Sequence, residues 1–254
     1  MKSARAKAKV MAVLGKGGAG KTVFSALIAR ACLERGLGPL LLVDADPTGG
    51  LVHAVGAGLE KTIGVVREKL IETARDPDMD AERVTETIDW QMLDALQEHE
   101  GYSLLAMGSM DTKGCFCPLN SLLRAAIGKL SAGFQMVLID AEAGVEQVNR
   151  QVFDRVDYPV VISDGSLRGL RTAESLVGLL KKLKRVEAPG LVLNRTPDQP
   201  AEIPEGFFYL GNIPQDEEIR RRDAEGRSLL ELPGENRAVR AVGKMLARLL
   251  DGTD

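Results

Sequence analysis

The stretch GKGGAGKT, residues 15–22, combines closely spaced glycines with two lysines. It matches the pattern G-x-x-x-x-G-K-[ST], in which backbone N–H groups of a glycine-rich loop bind phosphate. An apolar run precedes it and a helical pattern follows, which is the context that this pattern requires. Lys21 is expected to hold the β- and γ-phosphates of ATP, and Thr22 to bind Mg²⁺. The predicted phosphate-binding residues are Gly15, Gly17, Gly18, Ala19, Gly20, Lys21, Thr22 and Val23.

Aspartates follow two other apolar runs. Asp44 and Asp46 end LLLVDAD, and Asp140 ends MVLID. Acidic residues at the carboxyl ends of parallel strands face the crevice in which open α/β sheets bind nucleotides. We therefore expect Asp140 to act on Mg²⁺ or its waters, and Asp46 to orient the water that attacks the γ-phosphate. Taken alone, each aspartate would be equally compatible with a turn or a helix N-cap.

Lys16 is a second lysine, directly after the first glycine of the loop. Transfer of a γ-phosphoryl group spreads negative charge that an added cation can stabilise. A lysine this early in the loop could reach across a subunit interface to the phosphates of a partner, which would link ATP binding to formation of a homodimer. The alternative is a solvent-exposed lysine without a role.

The elements that must position these residues alternate along the chain. Continuous apolar runs predict strands that are buried on both faces, as in a parallel sheet. The predicted strands are residues 9–15, 39–46, 102–108, 134–140, 157–163 and 188–194, and the clearest predicted helices are residues 21–36, 167–186 and 236–250. This alternation predicts an α/β fold, a doubly wound and mostly parallel sheet with helices on both faces.

The charged stretch 61–101 has a mostly helical pattern, and we interpret it as a surface excursion between core strands. No internal repeat or linker is visible, so the sequence predicts a single domain over residues 1–254. The net charge of −3 and the pI near 5.6 give no indication of electrostatic binding to nucleic acid or to a membrane. No signal peptide or membrane span is recognisable, and the three cysteines are too few for a disulfide framework; we expect a cytoplasmic protein.

Cys115 and Cys117 form a C-x-C pair that follows Gly114 and precedes a helical pattern. Thiolates bind Ni²⁺, Zn²⁺ or copper well, but one pair supplies only two sulfur ligands. A two-fold dimer would supply the other two by symmetry. The alternative is a pair of small buried side chains with no metal. Cys32 is expected to be a core residue, and neither His53 nor His99 is expected to bind a metal.

With its early lysine, the loop G-K-G-G-x-G-K-T resembles the deviant Walker A loop of the MinD, ParA and nitrogenase-iron-protein class of dimeric ATPases. The resemblance implies that Lys16 is the intermolecular lysine. VDADP resembles switch I of that class, with Asp46 in the water-activating position. DAEAG, residues 140–144, resembles switch II, in which Gly144 would allow close approach of the backbone to the γ-phosphate.

The end of the chain extends this resemblance to the base of the nucleotide. VLNRT resembles the strand end at which an asparagine, here Asn194, reads adenine, and Arg195 follows it. GNIPQDEEI, residues 211–219, resembles the late loop that covers the base, and it contains Pro214. ATP and Mg²⁺ are therefore the cofactors that the resemblance implies.

The cysteine segment, KGCFCPLNSLLRAAI at residues 113–127, together with IDAEAGVEQVNR, resembles the CooC family of nickel-insertion ATPases for carbon monoxide dehydrogenase. That resemblance implies an ATPase that binds Ni²⁺ or Zn²⁺ between two subunits, through Cys115 and Cys117, and delivers it to carbon monoxide dehydrogenase or acetyl-CoA synthase. Thr48 and Gly49 depart from the asparagine-rich continuation of switch I that is common in that family.

Two other functions fit the same class of loop. A positioning ATPase of the MinD or ParA type would bind membrane or nucleoid, and the final helical pattern has basic residues and an apolar face. An iron–sulfur electron carrier would hold a cluster between subunits. Proteins of that second kind, however, place their cysteines singly and far apart.

Overall fold

The computed structural model describes residues 7–59, 61–73, 81–108, 125–141, 156–182, 188–196 and 203–252. The strands are β1 (Lys9–Gly15), β2 (Leu40–Asp44), β3 (Gln97–His99), β4 (Tyr102–Ala106), β5 (Met136–Asp140), β6 (Tyr158–Ser163), β7 (Gly190–Asn194) and β8 (Phe208–Ile213). The helices are α1 (Lys21–Glu34), α2 (Gly50–Ala54), α3 (Ile63–Thr73), α4 (Ala81–Ala95), α5 (Leu167–Lys182), α6 (Glu217–Ala224) and α7 (Arg237–Asp251).

The strands form one sheet in the order β3-β4-β2-β5-β1-β6-β7-β8. Neighbouring strands are parallel throughout, except that β3 pairs with β4 in the antiparallel sense. The predicted fold class, a mostly parallel and doubly wound sheet, is thus confirmed. Because the parallel strands all end at the same edge, the loops that follow β1, β2, β5 and β7 meet there.

Helices cover both faces of the sheet, and the alternation of side chains along β1 shows how. Met11 and Val13 belong to the core that the sheet forms with α1, α2 and α7. Val10 and Ala12 belong to a second core, to which α3, α4 and α5 contribute. Every side chain from Val10 to Leu14 is buried, which is why this strand reads as a continuous apolar run.

The six strands predicted from apolar runs are present, within two residues of their expected bounds. Two further strands, β3 and β8, were not predicted. The prediction of a loop over residues 211–219 is wrong in its extent, because this stretch includes the end of β8 and the start of α6. Between residues 61 and 101 the chain forms α3, α4 and the edge strand β3, and both helices bury apolar side chains in the second core.

Helix α7 begins after Asn236, whose side-chain oxygen accepts hydrogen bonds from the N–H groups of Ala238 and Val239. Its apolar side lies in the first core, where the helix packs on α1 and β8. The buried residues of the helix are Ala238, Val239, Val242, Met245, Leu246 and Leu249. Among the residues that the structure describes, no helix is long and apolar enough to cross a bilayer.

Candidate nucleotide site

The phosphate loop begins where β1 presses against β6. Gly15 has a φ of +150°, and a Cβ atom built on it would lie 2.4 Å from the carbonyl oxygen of Ile162. Any residue larger than glycine would therefore push the two strands apart at this point. Gly17 has open space around it, so its backbone is accessible.

The other end of the loop is held against β7. A Cβ atom on Gly20 would lie 1.9 Å from Nδ2 of Asn194, and this Nδ2 donates a hydrogen bond of 2.8 Å to the carbonyl of Ala19. Gly20 also has a φ of +96° and is the N-cap residue of α1, whose first turn directs N–H groups toward the loop. The loop thus leads straight into a helix N-terminus, as phosphate binding requires.

Within the loop, the N–H of Ala19 donates a 3.2 Å hydrogen bond to the carbonyl of Lys16, which closes a tight turn. The same carbonyl lies 3.4 Å from Nζ of Lys21. Lys21 is mostly buried, at 9% exposure, so its ammonium group is held inside the site rather than in solvent. The buried ammonium group of Lys21 therefore lies next to the backbone of this turn.

Two buried carboxylates face the loop from neighbouring strands. Asp44 ends β2 and Asp140 ends β5, and they are partners in the register of the two strands. The Oδ1 of Asp44 accepts a 3.0 Å hydrogen bond from the N–H of Asp46, and its Oδ2 accepts a 2.9 Å bond from the N–H of Val52. Burial raises the pKa of Asp44 above its ordinary value, and these backbone donors oppose the shift.

Asp140 lies beside α1, where Ser25 Oγ donates a 2.9 Å hydrogen bond to its Oδ1. Burial raises the pKa of Asp140 to about 7, and the charge of Asp44 adds to the increase. Hydrogen bonds from Thr22 and Ser25 and the charge of Lys21 act in the opposite direction. Two buried carboxylates at neighbouring strand ends fit a divalent cation, and Thr22 supplies a hydroxyl group at the same place.

Asp46 begins a compact turn after β2. Its Oδ1 accepts hydrogen bonds from both the N–H (2.8 Å) and the hydroxyl group (2.7 Å) of Thr48. A Cβ atom built on Gly50, directly after this turn, would lie 3.5 Å from Oγ1 of Thr22. The turn therefore packs against Thr22, the predicted Mg²⁺ ligand. Thr48 and Gly49, which replace the asparagine-rich continuation of switch I, are part of this turn.

Lys16 is half-buried and lies within electrostatic range of an acidic residue of its own chain. The pKa of Asp164 is lowered, mainly by a hydrogen bond from the hydroxyl group of Ser166, and the charge of Lys16 contributes. Sequence reasoning missed Asp164, because only the pairing of β1 with β6 brings it near the loop. It also missed Ser25, although the spacing of four residues from Lys21 places both on one side of α1.

A cavity of about 420 Å³ opens beside the loop, between β7 and α6. It brings together the predicted base-site residues Asn194, Arg195 and Pro214 with Gly20 and Val23 of the loop and α1. The remaining lining residues are Ile213, Gln215, Asp216, Ile219, Arg220 and Asp223. Asp216 caps α6 by accepting a hydrogen bond from the N–H of Ile219 and also binds the side chain of Asn236.

Three predicted site residues, Cys115, Cys117 and Gly144, lie outside the described residues. The chain reaches the cysteine segment from the edge that carries the carboxylates, since the N–H of Met107 donates a 2.8 Å hydrogen bond to the carbonyl of Asp44. Within the part of the chain that the structure describes, no cluster of three or more histidine, cysteine or acidic side chains could hold a metal ion.

The chain belongs to the CobQ/CobB/MinD/ParA nucleotide-binding domain family, whose model matches residues 10–230. It is therefore a P-loop domain of the MinD/ParA type that binds nucleotides. The described phosphate loop, the paired carboxylates and the adjacent cavity all lie within the matched region.

Several individual proteins are similar to this chain. An uncharacterized ATP-binding protein of Methanocaldococcus jannaschii is 32% identical over 95% of this chain and 98% of its own length. The carbon monoxide dehydrogenase accessory protein CooC of Rhodospirillum rubrum is 32% identical, covering 87% of this chain and 89% of the relative. Among solved structures, the MinD cell division protein of Aquifex aeolicus has a TM-score of 0.70 at 19% identity, over 96% of this chain and 97% of that chain, which shows a shared fold.

Asp140 should make the stability of the protein depend on pH. Its pKa of about 7 in the folded protein exceeds the ordinary value of 3.8 expected in the unfolded chain. Between these values the folded protein keeps a proton that the unfolded chain has lost, so the stabilisation is complete below the lower value and is lost as pH rises toward the higher one. Asp140→Asn removes this titration, and its free energy of unfolding relative to wild type should rise by about 2–3 kcal/mol between pH 5 and pH 8.

Urea unfolding of both proteins at these two pH values, without Mg²⁺ or nucleotide, measures the difference. Equal pH dependence of the wild-type and variant proteins would show that Asp140 is ionised at neutral pH despite its burial.

Proposed function

We propose that this protein is an ATP-hydrolysing metallochaperone that binds nickel, or zinc, between two copies of the chain and inserts it into carbon monoxide dehydrogenase or acetyl-CoA synthase. The observation that carries the proposal is the 32% identity to a carbon monoxide dehydrogenase accessory protein over most of both chains. The C-x-C pair, Cys115 and Cys117, adds the ligand chemistry for such a cargo.

The nucleotide would bind with its phosphates on the loop 15–22 and its base in the cavity next to Asn194. Lys21, buried beneath the turn, would neutralise the β- and γ-phosphates. Thr22, supported by Asp140 and Asp44, would hold Mg²⁺, which neutralises phosphate charge when it is bound. The same neutralisation would relieve the two buried carboxylates, so the site becomes less strained electrostatically once it is filled.

Hydrolysis would need a base that orients water, and Asp46 occupies the first turn after β2. Thr48 saturates one oxygen of this carboxylate, Oδ1, with two hydrogen bonds. Because Oδ2 accepts none from the described residues, that oxygen is available to take a proton from water. The chain itself thus supplies the base, the buried cation and the loop amides.

Lys16 would act on the nucleotide of the partner subunit. Lys16 lies at the start of the turn and is partly exposed. Its side chain can therefore extend beyond its own subunit. Two triphosphates that face each other across a dimer repel unless cations lie between them, and a lysine contributed by each subunit would provide those cations. Dimerisation would therefore depend on nucleotide.

The cargo site would form from two C-x-C pairs, one from each subunit. Four thiolates satisfy a tetrahedral Zn²⁺ or a square-planar Ni²⁺, whereas one pair does not. Met107, which lies eight residues before Cys115, has its N–H bonded to the backbone carbonyl of Asp44. A shift of Asp44 and Asp140, which we call the carboxylate layer, on nucleotide binding or hydrolysis would thereby be passed to the segment that carries the thiols.

A second candidate function is a MinD- or ParA-like positioning ATPase, since the septum site-determining protein MinD of Bacillus subtilis is 26% identical over 250 residues. Proteins of that kind need a free amphipathic helix or a basic surface. The apolar side of α7 is already packed on α1 and β8, which argues against its use as a membrane helix. Pelleting with anionic liposomes or with DNA separates the two candidates, because only the positioning ATPase would sediment with either.

Replacing both cysteines of the C-x-C pair should remove the bound metal and leave nucleotide binding intact. Cys115→Ala combined with Cys117→Ala should reduce bound nickel or zinc from about one ion per two chains to none, because no other cysteine replaces them. Cys32→Ala is the matched control, since burial raises the pKa of the Cys32 thiol to about 12 and keeps it from acting as a thiolate. Elemental analysis after gel filtration gives the stoichiometry, and nucleotide affinity should be unchanged. Retention of the wild-type metal content by the double variant would place the cargo elsewhere.

Replacing Lys21 and replacing Lys16 should impair different steps, ATP binding in the first case and dimerisation and turnover in the second. Lys21→Ala should lose ATP binding, because it removes the buried cation from the site. Lys16→Ala should still bind ATP but lose both the ATP-dependent dimer and about 10²-fold or more in turnover, as expected when a cation that stabilises the transition state is removed. Sedimentation velocity with Mg-ATP and with Mg-ADP, together with phosphate release, distinguishes the two variants. A Lys16→Ala protein that dimerises and hydrolyses ATP like the wild type would disprove the intermolecular role.

A further inference from the structure

Two consecutive side chains at the end of β7 hold two consecutive carbonyls of the phosphate loop. Asn194 Nδ2 donates a 2.8 Å hydrogen bond to the carbonyl of Ala19, and Arg195 Nη2 donates a 2.6 Å hydrogen bond to the carbonyl of Gly18. The partners are more than 170 residues apart in sequence, so the contacts exist only because of the tertiary fold. We call this pair of contacts the loop clamp.

The loop clamp determines which way the loop amides point. In a trans peptide the C=O and the next N–H point in opposite directions. Holding the carbonyls of Gly18 and Ala19 toward β7 therefore turns the following N–H groups to the other side of the loop. There the N–H of Ala19 donates to the carbonyl of Lys16 and closes the turn, and the N–H of Gly20 faces away from β7. In loops of this kind, that side is the one presented to phosphate.

Arg195 adopts a left-handed backbone conformation that is unusual for a residue with a side chain. Its φ is +59°, and it is the only residue other than glycine with a positive φ in the described ranges. This left-handed region is unfavourable for residues with a side chain, and such residues cluster at functional sites. A hydrogen bond from the Arg195 N–H to the carbonyl of Ile213 (2.9 Å) fixes the backbone, which leaves the guanidinium group over Gly18.

We propose that Arg195 is a positioning residue for phosphate binding: its guanidinium group holds the carbonyl of Gly18, and with it the turn that the Ala19 N–H closes, so that the loop keeps the shape that binds phosphate. It lines the cavity next to Asn194, yet its role is toward the loop rather than toward the base. The inference rests on the proposed binding of ATP phosphates to this loop. Because Arg195 is exposed, one charged hydrogen bond of this kind should change affinity by about five- to tenfold.

The test compares Arg195→Met, which keeps the length of the side chain but removes all donors, with Arg195→Lys, which keeps one cationic donor. Two probes are used, Mg-ATP and Mg-tripolyphosphate, each competing with a fluorescent adenine nucleotide. The Met variant should bind both probes more weakly by the same factor, about five- to tenfold, and the Lys variant should recover most of that loss. The midpoints of thermal unfolding of the ligand-free proteins should agree, since the residue is at the surface.

Tripolyphosphate has no base or ribose, so it separates the loop from the cavity. If Arg195→Met weakened ATP but left tripolyphosphate unchanged, Arg195 would contact the base or the ribose and the inference would be wrong. Unchanged binding of both probes would also overturn it. Wild-type protein that bound neither probe would refute the proposed nucleotide site itself, an outcome that is visible before any variant is compared.

Discussion

The seating of the phosphate loop against the carboxyl ends of β6 and β7 is the constraint on which the rest of the site depends. At one end, only a residue without a Cβ atom fits beside the carbonyl of Ile162, and at the other only such a residue fits beside the side chain of Asn194. These close approaches fix where β1 ends and where α1 begins. The buried ammonium group of Lys21 and the N-terminus of α1 are therefore placed before any ligand arrives.

The carboxylate layer follows from the order of the strands. With β5 between β1 and β2, Asp140 and Asp44 are neighbours in register and both are buried. Burial is the main reason that the pKa of Asp140 rises to about 7, and the neighbouring charge of Asp44 adds to the increase, so a proton or a cation stabilises this pair. The N–H groups of Met107 and Ala45 donate to the backbone carbonyls of Asp44 and Asp140, so the segments that follow β4 and β2 begin beside these two residues.

Much of this fold is predictable because the core strands are apolar on both faces. Strand β8 was missed because only Leu210 and Ile213 of its sequence, FYLGNI, are buried, and because it contains Gly211 next to a register irregularity. The three residues of β3, Gln97, Glu98 and His99, are polar and become a strand only by pairing with β4.

For the candidate site, the motifs predicted the loop residues and the carboxylates at the strand ends. They could not predict the contact of Arg195 with Gly18 or the proximity of Asp164 to Lys16, because both depend on strands that are distant in sequence.

We propose that ATP bound at this edge of the sheet brings two copies of the chain together around a shared set of thiolates, and a single titration can test this proposal. Co²⁺ reports sulfur coordination through its thiolate charge-transfer absorption, so it can be titrated into metal-free protein with and without Mg-ATP. We expect the absorption to reach saturation at about one Co²⁺ per two chains with ATP, and at an intensity that requires four thiolates. Saturation at one ion per chain, or a spectrum that is the same with and without ATP, would contradict a metal site shared between two chains.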